Sequence, residues 1–148
     1  KDFGEQVQSN LLALAPPGLT KVQTFACGSC SNENAYKLAF ASFRWRKRVE
    51  NGENPNDYLQ NEEFVSSCMK NQTPGAGTDM SIVSFQGGFH GRTMGALSST
   101  RSKALHKADI PAFQWPVCSF PRLKYPLELF ETENMMEEEK CLKEFQTI

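Results

Sequence analysis

A short run of small and polar residues, Cys-Gly-Ser-Cys-Ser-Asn-Glu-Asn-Ala-Tyr-Lys at positions 27–37, constrains the fold of this chain more than any other feature. It follows a β-branched and aromatic segment at 22–26 and precedes an apolar segment at 35–49, a pattern that predicts a strand, a tight turn and a helix. Such a turn can bind an anion, because its N–H groups point outward and the helix N-terminus carries partial positive charge. Gly28 allows a ligand to approach the backbone closely, and the Ser29 hydroxyl can donate to a phosphate oxygen.

The same residues also suit a turn that binds no ligand. Gly and Ser occur at many joints between a strand and a helix for conformational reasons alone. Ser31 or Asn32 is predicted to cap the helix, because each side-chain oxygen can accept from a free N–H group of the first helical turn. The turn is therefore a candidate phosphate site, and a second motif is needed before it indicates a function.

Composition excludes several classes of partner. The 148 residues are 39% hydrophobic and 22% charged, with a net charge of −1, so neither a nucleic acid nor a membrane surface is expected as the main partner. No apolar run approaches the ~20 residues of a membrane span. The five cysteines are scattered and odd in number, which favours reduced thiols over a disulfide framework; Cys68, Cys118 and Cys141 are expected to be buried or half-buried.

The chain alternates between helical and strand-like patterns. A strand followed by a long helical crossover and a second strand is typical of a mostly parallel sheet, so the predicted fold class is α/β with helices flanking that sheet. The predicted helices are residues 2–14, 32–49 and 58–70 and a helix in the acidic C-terminal stretch, and the predicted strands are residues 21–26 and 81–85.

A second motif, which is rich in glycine, follows the later strand at 86–95: Gln-Gly-Gly-Phe-His-Gly-Arg-Thr-Met-Gly. A dinucleotide fingerprint would need glycines at positions i, i+2 and i+5, and the glycines here do not have that spacing. The motif therefore requires another explanation.

Together the two motifs resemble those of class III (subgroup II) pyridoxal-phosphate aminotransferases. The first matches their phosphate loop, Gly-Ser-x-x-Asn-Glu-x-Ala-x-Lys, and Phe-His-Gly-Arg-Thr matches their cofactor-ring loop. The similarity continues through residues 102–111 and 120–126 and is looser at 44–61. The resemblance implies that residues 1–148 are the N-terminal portion of the large cofactor-binding domain of a fold-type I enzyme, and hence a fragment.

The resemblance also assigns roles to single residues. It implies that Gly28 and Ser29 bind the phosphate of pyridoxal 5′-phosphate, and that Phe89 stacks on the cofactor ring with His90 beside it. Arg92 is expected to bind the substrate carboxylate, since a guanidinium can donate two parallel hydrogen bonds to it. The alternatives are a core position for Phe89 and a structural ion pair for Arg92.

Cys27 and Cys30 form a C-x-x-C motif, which supplies half of the ligands for zinc or an iron–sulfur cluster. The simplest completion is the same pair from a second subunit across a two-fold axis. The resemblance implies a homodimer with a 2Fe–2S cluster shared in this way. Free thiols or a redox-active pair are the alternatives.

The resemblance implies a definite reaction for the full-length protein. It transfers the amino group of 4-aminobutyrate to 2-oxoglutarate, giving succinate semialdehyde and glutamate, in the mitochondrial matrix. The Schiff-base lysine is expected downstream of Ile148, so we expect this chain alone to be inactive. Another class III activity, on ornithine or β-alanine, is one alternative; a non-enzymatic metal or interaction module is the other.

Overall fold

Helices account for most of the regular structure in the computed structural model, which describes residues 2–148. Three short 3₁₀ turns connect them, at Asp57–Gln60, Ala104–His106 and Leu127–Leu129. The helices are α1 (Phe3–Ala13), α2 (Gly28–Glu50), α3 (Glu62–Met69), α4 (Met94–Ser99) and α5 (Glu131–Gln146), and the strands are β1 (Ser84–Phe85) and β2 (Val117–Cys118).

The sheet is a single parallel pair. Ser84 lies opposite Val117 and Phe85 opposite Cys118, with α4 in the connection between the two strands. This pairing agrees with the predicted parallel α/β class, although β1 is shorter than the strand predicted at 81–85 and β2 was not predicted. The strand predicted at 21–26 is wrong. Within residues 2–148 the sheet contains only β1 and β2, so that segment is irregular because it has no strand beside it.

Helix α1 confirms the helix predicted at 2–14, and the Asp2 carboxylate caps it by accepting from the N–H of Gly4 at 3.3 Å. The acidic C-terminal helix is likewise confirmed as α5. The single helix predicted at 58–70 is instead divided into a 3₁₀ turn and α3, with the Asn61 side chain capping α3 at the N–H of Phe64.

Helix α2 differs most from its prediction. It begins at Gly28 with Cys27 as the N-cap residue, so the predicted caps Ser31 and Asn32 lie inside the helix and that assignment is wrong. Although the segment 35–49 is largely apolar, none of the residues of α2 is buried and Leu38 is 67% exposed. The reason is that α2 packs mainly on the short helix α4, where the Tyr36 hydroxyl meets the Ser99 hydroxyl at 2.8 Å.

The core is small and centres on α4. Its apolar members are few, and polar side chains of α4 are buried beside them through hydrogen bonds to nearby backbone. Cys118 and Cys141 are buried and Cys68 is half-buried, as predicted. The chain exposes 11,511 Å², against about 7,600 Å² expected for a monomeric protein of 16.6 kDa. The buried apolar residues are Ala96, Leu97, Cys118 and Cys141.

No helix found within residues 2–148 has both the length and the apolar character needed to span a membrane.

Candidate functional site

The motif at 27–37 and the glycine-rich motif at 86–95 meet at the first turn of α2. Three side chains of α2, those of Ser29, Asn32 and Glu33, lie on one face at positions i, i+3 and i+4 and bind the segment 90–96. Ser29 Oγ accepts from the N–H of Arg92 at 3.2 Å, and Asn32 Nδ2 donates to the carbonyl of His90 at 2.7 Å. Residues about sixty positions apart in sequence therefore form one structural unit.

Glu33 makes the most hydrogen bonds across this contact. Its Oε1 accepts from the Thr93 hydroxyl at 2.6 Å and from the N–H groups of Gly95 and Ala96 at 2.6 and 2.9 Å. These amides belong to the start of α4, so the carboxylate caps that helix from a distant part of the chain. Burial raises the pKa of Glu33, but the hydrogen bonds from Thr93, Ala96 and Gly95 outweigh burial and hold the pKa below its ordinary value.

Gly91 permits the segment 90–96 to approach helix α2 closely. Its φ is +124°, a conformation that residues with a side chain rarely adopt, and a Cβ added there would lie 2.8 Å from Ser29 Cβ and 3.0 Å from Ser29 Cα. Any side chain at this position would push the segment away from α2.

The first turn of α2 fits a phosphate group. The N–H groups of Gly28, Ser29 and Cys30 have no carbonyl partner within the helix, because they occupy its first turn. A Cβ added at Gly28 would meet no atom within 4 Å, so space is open above the backbone there. The Ser29 hydroxyl accepts from the Arg92 N–H, which leaves its own hydrogen free to donate to an anion.

Phe89 and His90 directly precede Gly91 in the chain, and they differ in how they are held. The Phe89 side chain is 53% exposed and contacts His106 edge to face at 5.4 Å between ring centroids. Phe89 is therefore at the surface of this chain. The backbone of His90 is fixed, because its N–H donates to Thr100 Oγ1 at 2.9 Å and its carbonyl accepts from Asn32.

Arg92 is exposed, and its side chain forms no ion pair among the described residues 2–148. A structural ion pair was the alternative for this residue, and none is present in that part of the chain. Its backbone is held by Ser29, so the guanidinium extends from a fixed point next to the first turn of α2. The arrangement is suited to binding a carboxylate.

The two thiols of the C-x-x-C motif are close together, with Cys27 Sγ 3.5 Å from Cys30 Sγ. Hydrogen bonds from the Cys30 N–H and thiol lower the pKa of Cys27, and the Cys27 thiol raises the pKa of Cys30. No group of three or more His, Cys, Asp or Glu side chains suited to a metal ion occurs in residues 2–148. The pair alone offers two thiols, fewer than the four ligands that zinc or an iron–sulfur cluster usually requires.

Sequence reasoning missed Asn32 and Glu33 as site residues. Both stand in the quoted motif, but a helix start placed at residue 32 hid their relation to Ser29. The spacing i, i+3, i+4 becomes visible as one helical face only when the helix begins at Gly28.

Comparison with known proteins relates this chain to the aminotransferases. The family model described as aminotransferase class-III matches residues 2–148. Mitochondrial 4-aminobutyrate aminotransferases from mouse and human are each 49% identical over 148 residues, and 4-aminobutyrate aminotransferase from Dictyostelium discoideum is 47% identical over the same length. The alignments cover 100% of this chain and 28% of each relative, so the chain spans less than a third of their length.

Solved structures agree on the fold. A mutant of the M. tuberculosis protein Rv3290C matches with a TM-score of 0.67 at 22% identity, covering 99% of this chain and 29% of that one. A lysine aminotransferase from M. tuberculosis matches with a TM-score of 0.55 at 24% identity, covering 83% of this chain and 23% of that one. At these identities the likeness concerns the fold alone.

Proposed function

Because this chain belongs to the class III aminotransferase family, we propose that it forms the N-terminal portion of the large pyridoxal-phosphate-binding domain of a larger protein. That protein transfers the amino group of 4-aminobutyrate to 2-oxoglutarate, giving succinate semialdehyde and glutamate. Support comes from relatives named 4-aminobutyrate aminotransferase that are 47–49% identical to the whole chain. The Schiff-base lysine belongs to the remainder of the protein, so the chain alone does not catalyse the reaction.

The observation that carries this proposal is the position of Arg92 relative to the phosphate-binding turn. The N–H of Arg92 donates to Ser29 Oγ at 3.2 Å, so the backbone of this residue adjoins the first turn of α2, and its exposed side chain forms no ion pair within residues 2–148. This contact supports a carboxylate-binding guanidinium near a phosphate-binding turn, as an amino-acid substrate and a phosphorylated cofactor require.

Each proposed residue has a separate task. The first-turn amides with Gly28 and Ser29 hold the cofactor phosphate, Phe89 and His90 lie against its ring, and Arg92 orients the substrate through its carboxylate. When bound, pyridoxal phosphate supplies the electron sink that stabilises a carbanion at the substrate carbon. By orienting the cofactor and the substrate, these residues would accelerate the reaction, because a fixed geometry replaces a bimolecular encounter.

The cysteine pair supports a homodimer with a shared 2Fe–2S cluster. Two thiols 3.5 Å apart fit as two ligands of one cluster, and a second copy of the chain would supply the other two. Native mass spectrometry of the full-length protein should show a dimer. Iron and sulfide analysis should give two irons and two sulfides per dimer, the content of one 2Fe–2S cluster. A dimer that contains no iron would refute this assignment.

The proposed location is the mitochondrial matrix. The mouse, rat and human relatives are named mitochondrial, whereas the Dictyostelium relative carries no such label. Fractionation of source cells with a matrix marker tests this location.

A substitution at Arg92 tests the reaction. In the full-length protein with pyridoxal phosphate, Arg92→Gln should raise the KM for 4-aminobutyrate about tenfold to a hundredfold, because a bidentate charge-assisted contact is lost. Arg46→Gln, an exposed arginine on α2, is the matched control and should leave KM unchanged. Transamination rates of the unmodified protein with 4-aminobutyrate, ornithine and β-alanine show which of these is the preferred amino donor. No transamination of 4-aminobutyrate by the unmodified protein would refute the proposal.

A further inference from the structure

We propose that Glu33 is a positioning residue that sets the location of Arg92 relative to the phosphate-binding turn. The inference rests on the proposed function, since it assumes that Arg92 binds a substrate carboxylate. Glu33 itself contacts neither cofactor nor substrate in this scheme. It acts through the backbone on which Arg92 stands.

The backbone around Arg92 is held on both sides by α2. On the N-terminal side, the Arg92 N–H donates to Ser29 Oγ. On the C-terminal side, Glu33 Oε1 accepts from Thr93, Gly95 and Ala96 at 2.6 to 2.9 Å. Because Ser29 and Glu33 are four residues apart on one helix, they are adjacent on its surface and hold the segment at two neighbouring points.

The contact is made by one carboxylate oxygen of Glu33 and leaves no room for a side chain at Gly95. A Cβ added at Gly95 would lie 2.6 Å from Glu33 Oε2, so the carboxylate fills the space that this glycine leaves open. Among residues 2–148, no lysine or arginine forms an ion pair with Glu33. Its charge is therefore directed at the N-terminal amides of α4 and the Thr93 hydroxyl, where hydrogen bonds to an ionised acceptor are stronger than neutral ones.

The consequence for function is that the proposed phosphate site and carboxylate site are held in a fixed position relative to each other. The amides that would hold the phosphate are in the first turn of α2, and Glu33 is in the next turn of the same helix. Small displacements of a binding group strongly weaken catalysis. Loss of the hydrogen bonds between Glu33 and the segment 93–96 should therefore impair carboxylate recognition while leaving the phosphate-binding turn intact.

Binding of butanoate, a carboxylate without an amino group, tests the inference by calorimetry on the full-length protein loaded with cofactor. Glu33→Ala should raise the Kd for butanoate about tenfold, and Glu33→Gln, which keeps the shape without the charge, should raise it less. Glu50→Gln is the matched control, because Glu50 is an exposed carboxylate at the far end of the same helix, and it should leave the Kd unchanged.

The same measurements in an Arg92→Gln background show whether Glu33 acts through Arg92. We expect Glu33→Gln to have no further effect on butanoate binding there, since coupled residues are not additive. If Glu33→Gln leaves the Kd unchanged, or weakens binding equally with and without Arg92, the inference is refuted and the proposed function stands. If Arg92→Gln alone leaves the Kd unchanged, the proposed role of Arg92 is refuted, and this inference with it.

Discussion

Replacing Gly91 by alanine should separate the segment 90–96 from α2. The φ of +124° is strained for a residue with a Cβ, which costs about 1–3 kcal/mol. The added methyl would also lie 2.8 Å from Ser29 Cβ and 3.0 Å from Ser29 Cα, and relieving such an overlap costs about 1–3 kcal/mol more. The free energy of unfolding should therefore fall by about 2–6 kcal/mol, a large share of the ~5–15 kcal/mol that stabilises a typical domain.

Gly87→Ala is the matched control for backbone strain. Gly87 has a φ of +82°, but a Cβ added there would meet no atom within 4 Å, so only the strain is introduced. Urea denaturation of the cofactor-free, full-length protein should show Gly91→Ala to be less stable than Gly87→Ala by about 1–3 kcal/mol. Equal stability of the two variants would mean that Gly91 does not lie against Ser29, and the close contact described above would be wrong.

Three further outcomes are expected. Ser29→Ala removes a hydroxyl that can donate to the phosphate, so dialysis followed by absorbance should show pyridoxal phosphate bound about fivefold more weakly; unchanged retention would contradict the phosphate assignment. In iron-free protein, iodoacetamide should alkylate Cys27 before Cys30, since hydrogen bonds from Cys30 lower the pKa of Cys27, as peptide mass spectrometry can check. Because the folded pKa of Glu33 lies below its usual value of about 4.3, its stabilising contribution is present above that pH and is lost as the pH falls through the folded pKa. The stability difference between the unmodified protein and Glu33→Gln, measured by urea denaturation, should therefore shrink in acid, and a constant difference would contradict it.

The sequence alone determined the helices whose signals are local. The helix predicted at 2–14 forms as α1, and the acidic C-terminal stretch predicted a closing helix that the structure confirms as α5. These elements follow from contacts between residues three or four positions apart, which a single sequence displays. The motifs at 27–37 and 86–95 were likewise visible, because glycine marks places where the backbone needs unusual freedom.

Only the tertiary structure decided which strands form and how the motifs combine. A strand needs a partner to satisfy its N–H and C=O groups, so residues 21–26 remain irregular despite their β-type composition, while the short β2 forms because β1 lies beside it. The role of Glu33 was equally hidden, because its hydrogen-bond partners lie about sixty residues away. Those partners come within reach because Gly91 and Gly95 have no side chains to separate the segment 90–96 from α2. Local sequence specifies what each segment can do, but hydrogen bonds between distant segments decide which of those options the chain adopts.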